Sequence, residues 1–468
     1  MSPLVSGTWS PVDQDRARGK AAREALPRSA QGKFSTPDRS PVSILEEQHA
    51  SRLPHLVPVR VGRMLQTPFA FFRGAAAVMA GDLSTEATTG HQVVACGDAH
   101  LANFGLYASP ERRLVFDLND FDEVFPAPWE WDVKRLTASI WLSGRNSGHS
   151  EEQCQTAAEA SARGYRVAMR RLFEGTAAER YYFHVDMDVL MATMSSGRLS
   201  RKNILEKDVE KAKRRTSEQV LAKMTTETVQ GERRIVDQWP LVYHPETTTL
   251  DRVSALFDQY RDSLRADTAV LVSQYRLVDV ALRVVGVGSV GTRCWVILML
   301  GPSEEPLFLQ AKEVQRSVLE SHGGSRPSSD VVRLLTSFGQ GYRTVAGQRI
   351  MQAQSDPFLG WVGNAVEADG QPRDYFVRQF RDMKGSFAVD QLGPGALADY
   401  AQLCGGVLAR AHSQTPGTAF IAGYLGRSEL FEKAMGGWAR HYADQTEKDH
   451  AELARAVRAG RLGAENGI

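Results

Sequence analysis

The chain has 468 residues, a length that corresponds to about three domains of ~150 residues. Its 56 basic and 55 acidic side chains leave a formal charge of +1, which argues against nucleic-acid binding driven by bulk positive charge and against polybasic attachment to a membrane. With 42% hydrophobic and 24% charged residues, 40 Gly and 20 Pro, collagen-like and low-complexity classes are excluded, and a soluble globular protein of enzyme size is expected.

In chain order, residues 1–40 are rich in Ser, Pro, Arg and Ala and predict a flexible N-terminal arm. They contain no apolar stretch of signal-peptide type. From Ser43 to Gly81 the pattern is helical, and two strand-like runs follow, HQVVACGD and ERRLVFDLND. Residues 149–270 are expected to form a largely helical insertion. Its charged segment RKNILEKDVEKAKRRTSEQVLAKM fits a solvated face rather than a binding patch. Around Ala281 the chain turns β-rich, through ALRVVGVGSVGTRCWVILML, PLFLQAKEV and DYFVRQFRDM. After Pro394 helices return. Leu397, Tyr400, Ala401, Cys404, Val407, Leu408 and Ala411 recur at helical spacing and predict one buried face.

The four cysteines (Cys96, Cys154, Cys294, Cys404) lie far apart without CxxC or CxH spacing, so neither a zinc site nor a disulfide framework is expected. The longest apolar run, CWVILML, is far short of a membrane span. These features predict a cytoplasmic protein.

The densest chemistry lies in CGDAHLANFGLYASPERRLVFDLNDFDEVFPAPWEWDVKRL. Asp98 follows a strand, His100 and Asn103 occupy the next loop, and Asp120 and Asp122 follow the second strand. Such a set can supply a general base and oxygen ligands for a hard cation such as magnesium. The alternative is a group of turn-forming residues capping strands and helices.

The segment resembles the catalytic and metal-binding loops of the protein-kinase-like superfamily in its aminoglycoside- and choline-phosphotransferase form, H-G-D-x-H-x-x-N followed by I-D-F-D and W-D. Here C-G-D-A-H-L-A-N stands at 96–103, N-D-F-D-E at 119–123 and W-D at 131–132, with Cys96 where that family usually has His. The resemblance implies Asp98 as catalytic base with His100 beside it. It implies Asn103, Asp120 and Asp122 as magnesium ligands, with Asp117 in contention if the strand register slides, and Asp132 as a structural acid below the loops.

A phosphate-covering loop and a lysine complete such a site. Gly286, Gly288, Ser289 and Gly291 form G-V-G-S-V-G between two strand-like runs, whereas a dinucleotide-binding turn would lead into a helix. Lys312, on the next strand, is the expected phosphate partner. Its supporting acid is open between Glu313 and Glu320, with Gln348 as a substitute. Gln379 to Arg381 suit a hinge reading adenine. Arg73, Arg378 and Lys384 are further candidates, whereas Trp129 and Trp131 are expected in the core.

These parts occur in the wrong order for an ordinary kinase, because the nucleotide-binding half follows the catalytic half. The resemblance therefore implies an α+β, two-lobed protein-kinase-like fold that is circularly permuted. Residues 41–148 would carry the catalytic and metal loops, 271–385 the N-lobe-like part, and 386–468 C-lobe helices. The chain also resembles a bacterial family of unknown function, DUF2252, through RMLQTPFAFFRG, GDAHLANFG, NDFDE, GQRIMQ and YADQTEKDH. The expected activity is ATP- and Mg²⁺-dependent phosphoryl transfer to a hydroxyl of a small-molecule acceptor, without nucleic-acid or membrane partners. Nucleotide binding without transfer, AMP transfer, and metal-dependent phosphoester hydrolysis are the rival readings.

Overall fold

The computed structural model describes residues 10–187, 209–228, 231–246, 250–326, 329–367, 369–380, 383–465 and 467. Over these described residues the fold is mixed α+β, 52% helical and 16% strand, with no closed barrel. Two layers position the site: a helical body carrying two short hairpin-like sheets, and one larger antiparallel sheet.

In the body, β1 (Gln92–Ala95) pairs with β4 (Phe125–Pro128), and β2 (Phe104–Ala108) pairs with β3 (Leu114–Leu118), both antiparallel. Helices Trp129–Asn146 and Pro394–His412 pack on them, and helices Glu151–Glu174 and Leu430–Arg458 pack in turn on this helical layer. Leu397, Tyr400, Ala401, Cys404, Val407, Leu408 and Ala411 are all buried, as the helical spacing predicts. Glycines let this helix approach its neighbour closely: a Cβ on Gly405 would stand 1.9 Å from the Ser161 carbonyl, and one on Gly164 2.1 Å from that of Gln402. Trp129 is fully buried and stacks on Tyr165 at 5.6 Å, and Trp131 is buried as well.

The larger sheet contains β7 (Val242–Tyr243), β8 (Arg276–Arg283), β9 (Cys294–Leu300), β10 (Pro306–Val314), β11 (Gly360–Val366) and β12 (Pro372–Gln379). Their order is β11-β12-β10-β9-β8-β7, antiparallel throughout. Alternation along β10 divides its side chains. Leu307, Leu309 and Ala311 enter an apolar cluster with Tyr260 and Val272, so Phe308, Gln310 and Lys312 fall on the opposite face. Helix Gly339–Met351 packs across β10, β11 and β12.

One segment differs from expectation. The loose arm over 1–40 gives way, within the described residues, to helix Val12–Ala25 docked on helix Thr418–Leu425. Arg23 Nε and Arg28 Nη1 donate to the carbonyls of Tyr424 and Leu425, each at 2.8 Å, filling acceptors that a helix end leaves open. Residues 149–270 combine helices with a few short strands. Besides β7, they contain β5 (Thr225–Glu227) paired with β6 (Arg233–Ile235), where Thr and Ile favour extended backbone.

Candidate functional site

The loop after β1 turns sharply at Gly97, whose φ is +77° and where a Cβ would stand 2.4 Å from the Glu123 carbonyl. Asp132, one turn into helix Trp129–Asn146, sits beneath it. Its carboxylate accepts from the Cys96 amide at 2.6 Å, the Gly97 amide at 3.0 Å and His412 Nε2 at 3.0 Å. These bonds present Asp98 to the cleft, with 19% of its side chain exposed. Burial pushes the Asp98 carboxyl up to about 7, against the pull of Arg135, whose Nε donates to Oδ1 at 2.6 Å. Arg135 is itself fixed by the Phe72 carbonyl at 3.0 Å and by the Phe72 ring.

His100 Nε2 lies 3.8 Å from Asp98 Oδ2, and its Nδ1 is buried without a partner. Burial, with Arg73 and Arg135 nearby, pushes this imidazole well below its usual value. Asn103 Nδ2 donates to the Asp98 carbonyl at 2.7 Å, and the Asn119 amide donates to the Asn103 carbonyl at 2.9 Å. The loop after β1 and the loop after β3 are thereby locked together. The buried Cys96 thiol points to the Asp120 carbonyl at 3.3 Å, so this sulfur supports the second acidic loop.

Lys312 reaches this loop from the sheet. Its Nζ lies 3.6 Å from Asp120 Oδ1 and makes a close ion pair with Asp122 Oδ2. Burial alone would push Asp120 up, but the charges of Lys312, Arg378 and Lys384 hold it low. Burial and the neighbouring Asp120 charge push Asp122 up. Both acids keep a buried Oδ1 without a hydrogen-bond donor. The partner of Lys312 is thus this acidic pair. Glu313 instead engages Arg293 and Arg373, Glu320 engages Arg316, and Gln348 bonds Gln352. Asp117 accepts from the amides of Leu118 and Ala353, both at 2.8 Å, and is spent inside the body.

Asp98, His100, Asn103, Asp120, Asp122 and Lys312 line one cavity of about 370 Å³, together with Gly286, Gly288 and Ser289. Gly291 closes the same loop against the helical run 41–74. Its carbonyl accepts from the Leu53 amide at 2.8 Å, while the Gly286 carbonyl accepts from Arg63 at 2.6 Å. Positive φ at Gly286 (+68°) and Gly291 (+91°) accounts for glycine at both turns.

Gln379 is not brought to this cavity. It lines a second one of about 210 Å³ with Arg378 and Lys384, and its amide already donates to Asp356 Oδ2 at 2.5 Å. Arg381 lies outside the described residues. Burial beside Arg378 pushes Lys384 down to about 7.

Sequence reasoning missed Arg135, Arg343 and the arginines at 52 and 60. Arg343, buried in helix Gly339–Met351, donates to the carbonyls of Asp122 (2.7 Å) and Gln315 (2.8 Å) and so ties sheet to acidic loop. Its only sequence signal is a charge inside an otherwise small and apolar helical stripe.

A family model described as an uncharacterized protein conserved in bacteria matches residues 52–456. The chain belongs to the DUF2252 family. No curated protein and no solved structure matches it. The DUF2252 match spans every residue of the cleft from Arg52 onward, whereas helix Val12–Ala25 lies before it. Among the described residues of this DUF2252 protein, no helix is long and apolar enough to cross a membrane, and all four cysteines are free and buried. No group of three His, Cys, Asp or Glu side chains among them forms a metal cluster. The arrangement that suits a hard cation is the two orphan carboxylate oxygens of Asp120 and Asp122 with the amide of Asn103, completed by water and substrate oxygens.

Proposed function

We propose that this protein is an ATP- and Mg²⁺-dependent phosphotransferase of protein-kinase-like architecture, circularly permuted, acting on a hydroxyl of a small molecule. The observation that carries the reading is the meeting of Lys312 and the glycine loop with Asp98, Asn103, Asp120 and Asp122 in one cavity, from parts of the chain almost 200 residues apart. The strand sequence supports it. Strand, glycine loop, strand, lysine strand, helix and two further strands give the antiparallel order β11-β12-β10-β9-β8, with the lysine strand central and the helix packed across it. The permutation is supported by the end of helix Pro394–His412, where Thr415 Oγ1 accepts from the Val94 amide at 3.0 Å across 321 residues of sequence.

In this reading Asp98 accepts the proton of the acceptor hydroxyl as its oxygen bonds to the γ-phosphorus and ADP leaves. Arg135 holds Asp98 in position, and Lys312 turns from the acidic pair toward nucleotide phosphates. A magnesium ion held by Asp120, Asp122 and Asn103 would neutralise charge on those phosphates. One observation favours a second reading, nucleotide binding without transfer. Lys312 is balanced by acids of the metal loop rather than by an acid of helix Gly339–Met351.

The test combines Asp98→Asn and Asp120→Ala. The first should abolish transfer from labelled ATP, by at least ~10³-fold, with nucleotide affinity retained. The second should weaken Mg·ATP binding by ~10-fold or more in calorimetric titration. Binding without phosphorylated product in the wild type would favour the second reading. A mass gain of AMP on a target would mark AMP transfer, and Mn²⁺-dependent phosphoester hydrolysis without ATP would overturn both.

A further inference from the structure

One wall of the cleft carries three arginines that form no direct ion pair among the described residues, although Glu123 and Glu313 lie near Arg52 and Asp98 and Asp120 near Arg73. Arg52, Arg60 and Arg73 come from the helical run 41–74, and all line the cavity that holds Asp98 and Asp120. Arg60 is fully buried. Its Nη2 donates to Gln48 Oε1 at 3.1 Å and to the Gly74 carbonyl at 2.8 Å, while its Nε and Nη1 are buried without partners. Arg52 donates through Nη1 to the Val290 carbonyl, and its Nε is buried and unpartnered. Arg73 Nε is buried and unpartnered too, and this guanidinium makes no ion pair among the described residues.

Other buried arginines are ion-paired or, as with Arg343 and Arg410, spend every guanidinium nitrogen on neutral oxygen acceptors. Arg166 pairs with Glu432 at 2.7 Å, and Arg39 with Asp82 at 2.6 Å and Asp449 at 2.7 Å. Burying guanidinium groups with open donors is costly unless something supplies acceptors. Burial pushes all three guanidinium groups down, and the proximity of Arg52 adds to this for Arg60. The glycine loop shares the wall: a Cβ on Gly288 would stand 3.2 Å from the Arg73 carbonyl, and one on Gly291 3.0 Å from Arg52 Cβ.

We propose that Arg52, Arg60 and Arg73 form an oxyanion subsite that takes a phosphate group of the molecule entering the cleft. Three fixed cations with four unpartnered donor nitrogens match the charge of about −1.5 to −2 and the three oxygens of a phosphate ester better than they match a carboxylate. The phosphate belongs either to the nucleotide or to a phosphorylated acceptor, and naming that molecule rests on the phosphotransfer reading. The anion site itself does not.

The test titrates full-length protein with inorganic pyrophosphate and, separately, with a non-hydrolysable Mg·ATP analogue. It compares wild type, Arg73→Met, Arg73→Lys, Arg52→Gln and the surface control Arg265→Gln. Arg73→Met should weaken pyrophosphate binding about 10-fold or more, with partial recovery in Arg73→Lys and no change in the control. Its unliganded melting temperature should hold or rise, because an unpaired buried charge is removed, whereas loss of a purely structural arginine would lower it. Parallel loss of analogue binding assigns the phosphate to the nucleotide, and unchanged analogue binding assigns it to the acceptor. If the wild type ignores the analogue yet Arg73→Met still loses pyrophosphate, the subsite stands and the phosphotransfer reading falls. Pyrophosphate affinity unchanged in both Arg73→Met and Arg52→Gln, or absent from the wild type, overturns the subsite.

Discussion

Asp132 holds together three pieces of chain: the Cys96–Gly97 amides, its own helix and His412. Only 2% of it is exposed, so its loss leaves buried donors without acceptors. Asp132→Ala should cost about 3–5 kcal/mol in urea unfolding and loosen the Asp98 loop. A second residue-scale network lies on the sheet edge, just after β7. His244 Nδ1 lies 2.7 Å from Asp237 Oδ1, and its Nε2 lies 3.1 Å from Asp279 Oδ2. The bond to Asp279 raises this imidazole above its usual value, against partial burial and with help from Asp237. The folded state therefore binds the proton more tightly than the unfolded one. The resulting stability is complete below about pH 6.5 and disappears as pH climbs through the raised folded value. Unfolding free energies from about pH 5.5 to about pH 9 should show that decline in the wild type and a flatter profile in His244→Gln.

Among the elements, helix Val12–Ala25 has the largest unexpected role. It and the turn after it cover helix Thr418–Leu425, whose residues are all buried. Tyr424 Oη donates to the Leu26 carbonyl at 3.0 Å, and the Phe420 amide donates to Asp15 at 3.2 Å. Deleting residues 1–33 should expose Phe420 and Tyr424, lower the thermal midpoint by several degrees and increase binding of an apolar-surface dye. Composition gave no sign of this helix, because its mean character is polar and its partner lies about 400 residues away. Helix Pro394–His412 was legible for the opposite reason. Its whole length contributes one continuous apolar face, so local spacing suffices.

At the scale of the molecule, the acids of the cleft and Lys312 could be picked from sequence because each sits in a short run with a chemical reason for its spacing. Their meeting could not be read locally, nor could the identity of the lysine's partner. Spacing favoured an acid near Lys312 in sequence, whereas folding brings it to Asp120 and Asp122. Arg52, Arg60 and Arg343 escaped notice because an isolated arginine in a helical pattern or a bend reads as surface, and only tertiary packing turns it inward.

The bond between Asp132 and His412 joins residues 280 positions apart. At about 5–20 residues per second, a ribosome needs roughly 15–60 s to make the intervening chain. For most of that interval the acidic loops exist without Lys312 and Arg343, and for all of it without His412, their later-made counterparts. The newborn N-terminal half thus waits, charged and open, until the C-terminal half arrives to close it.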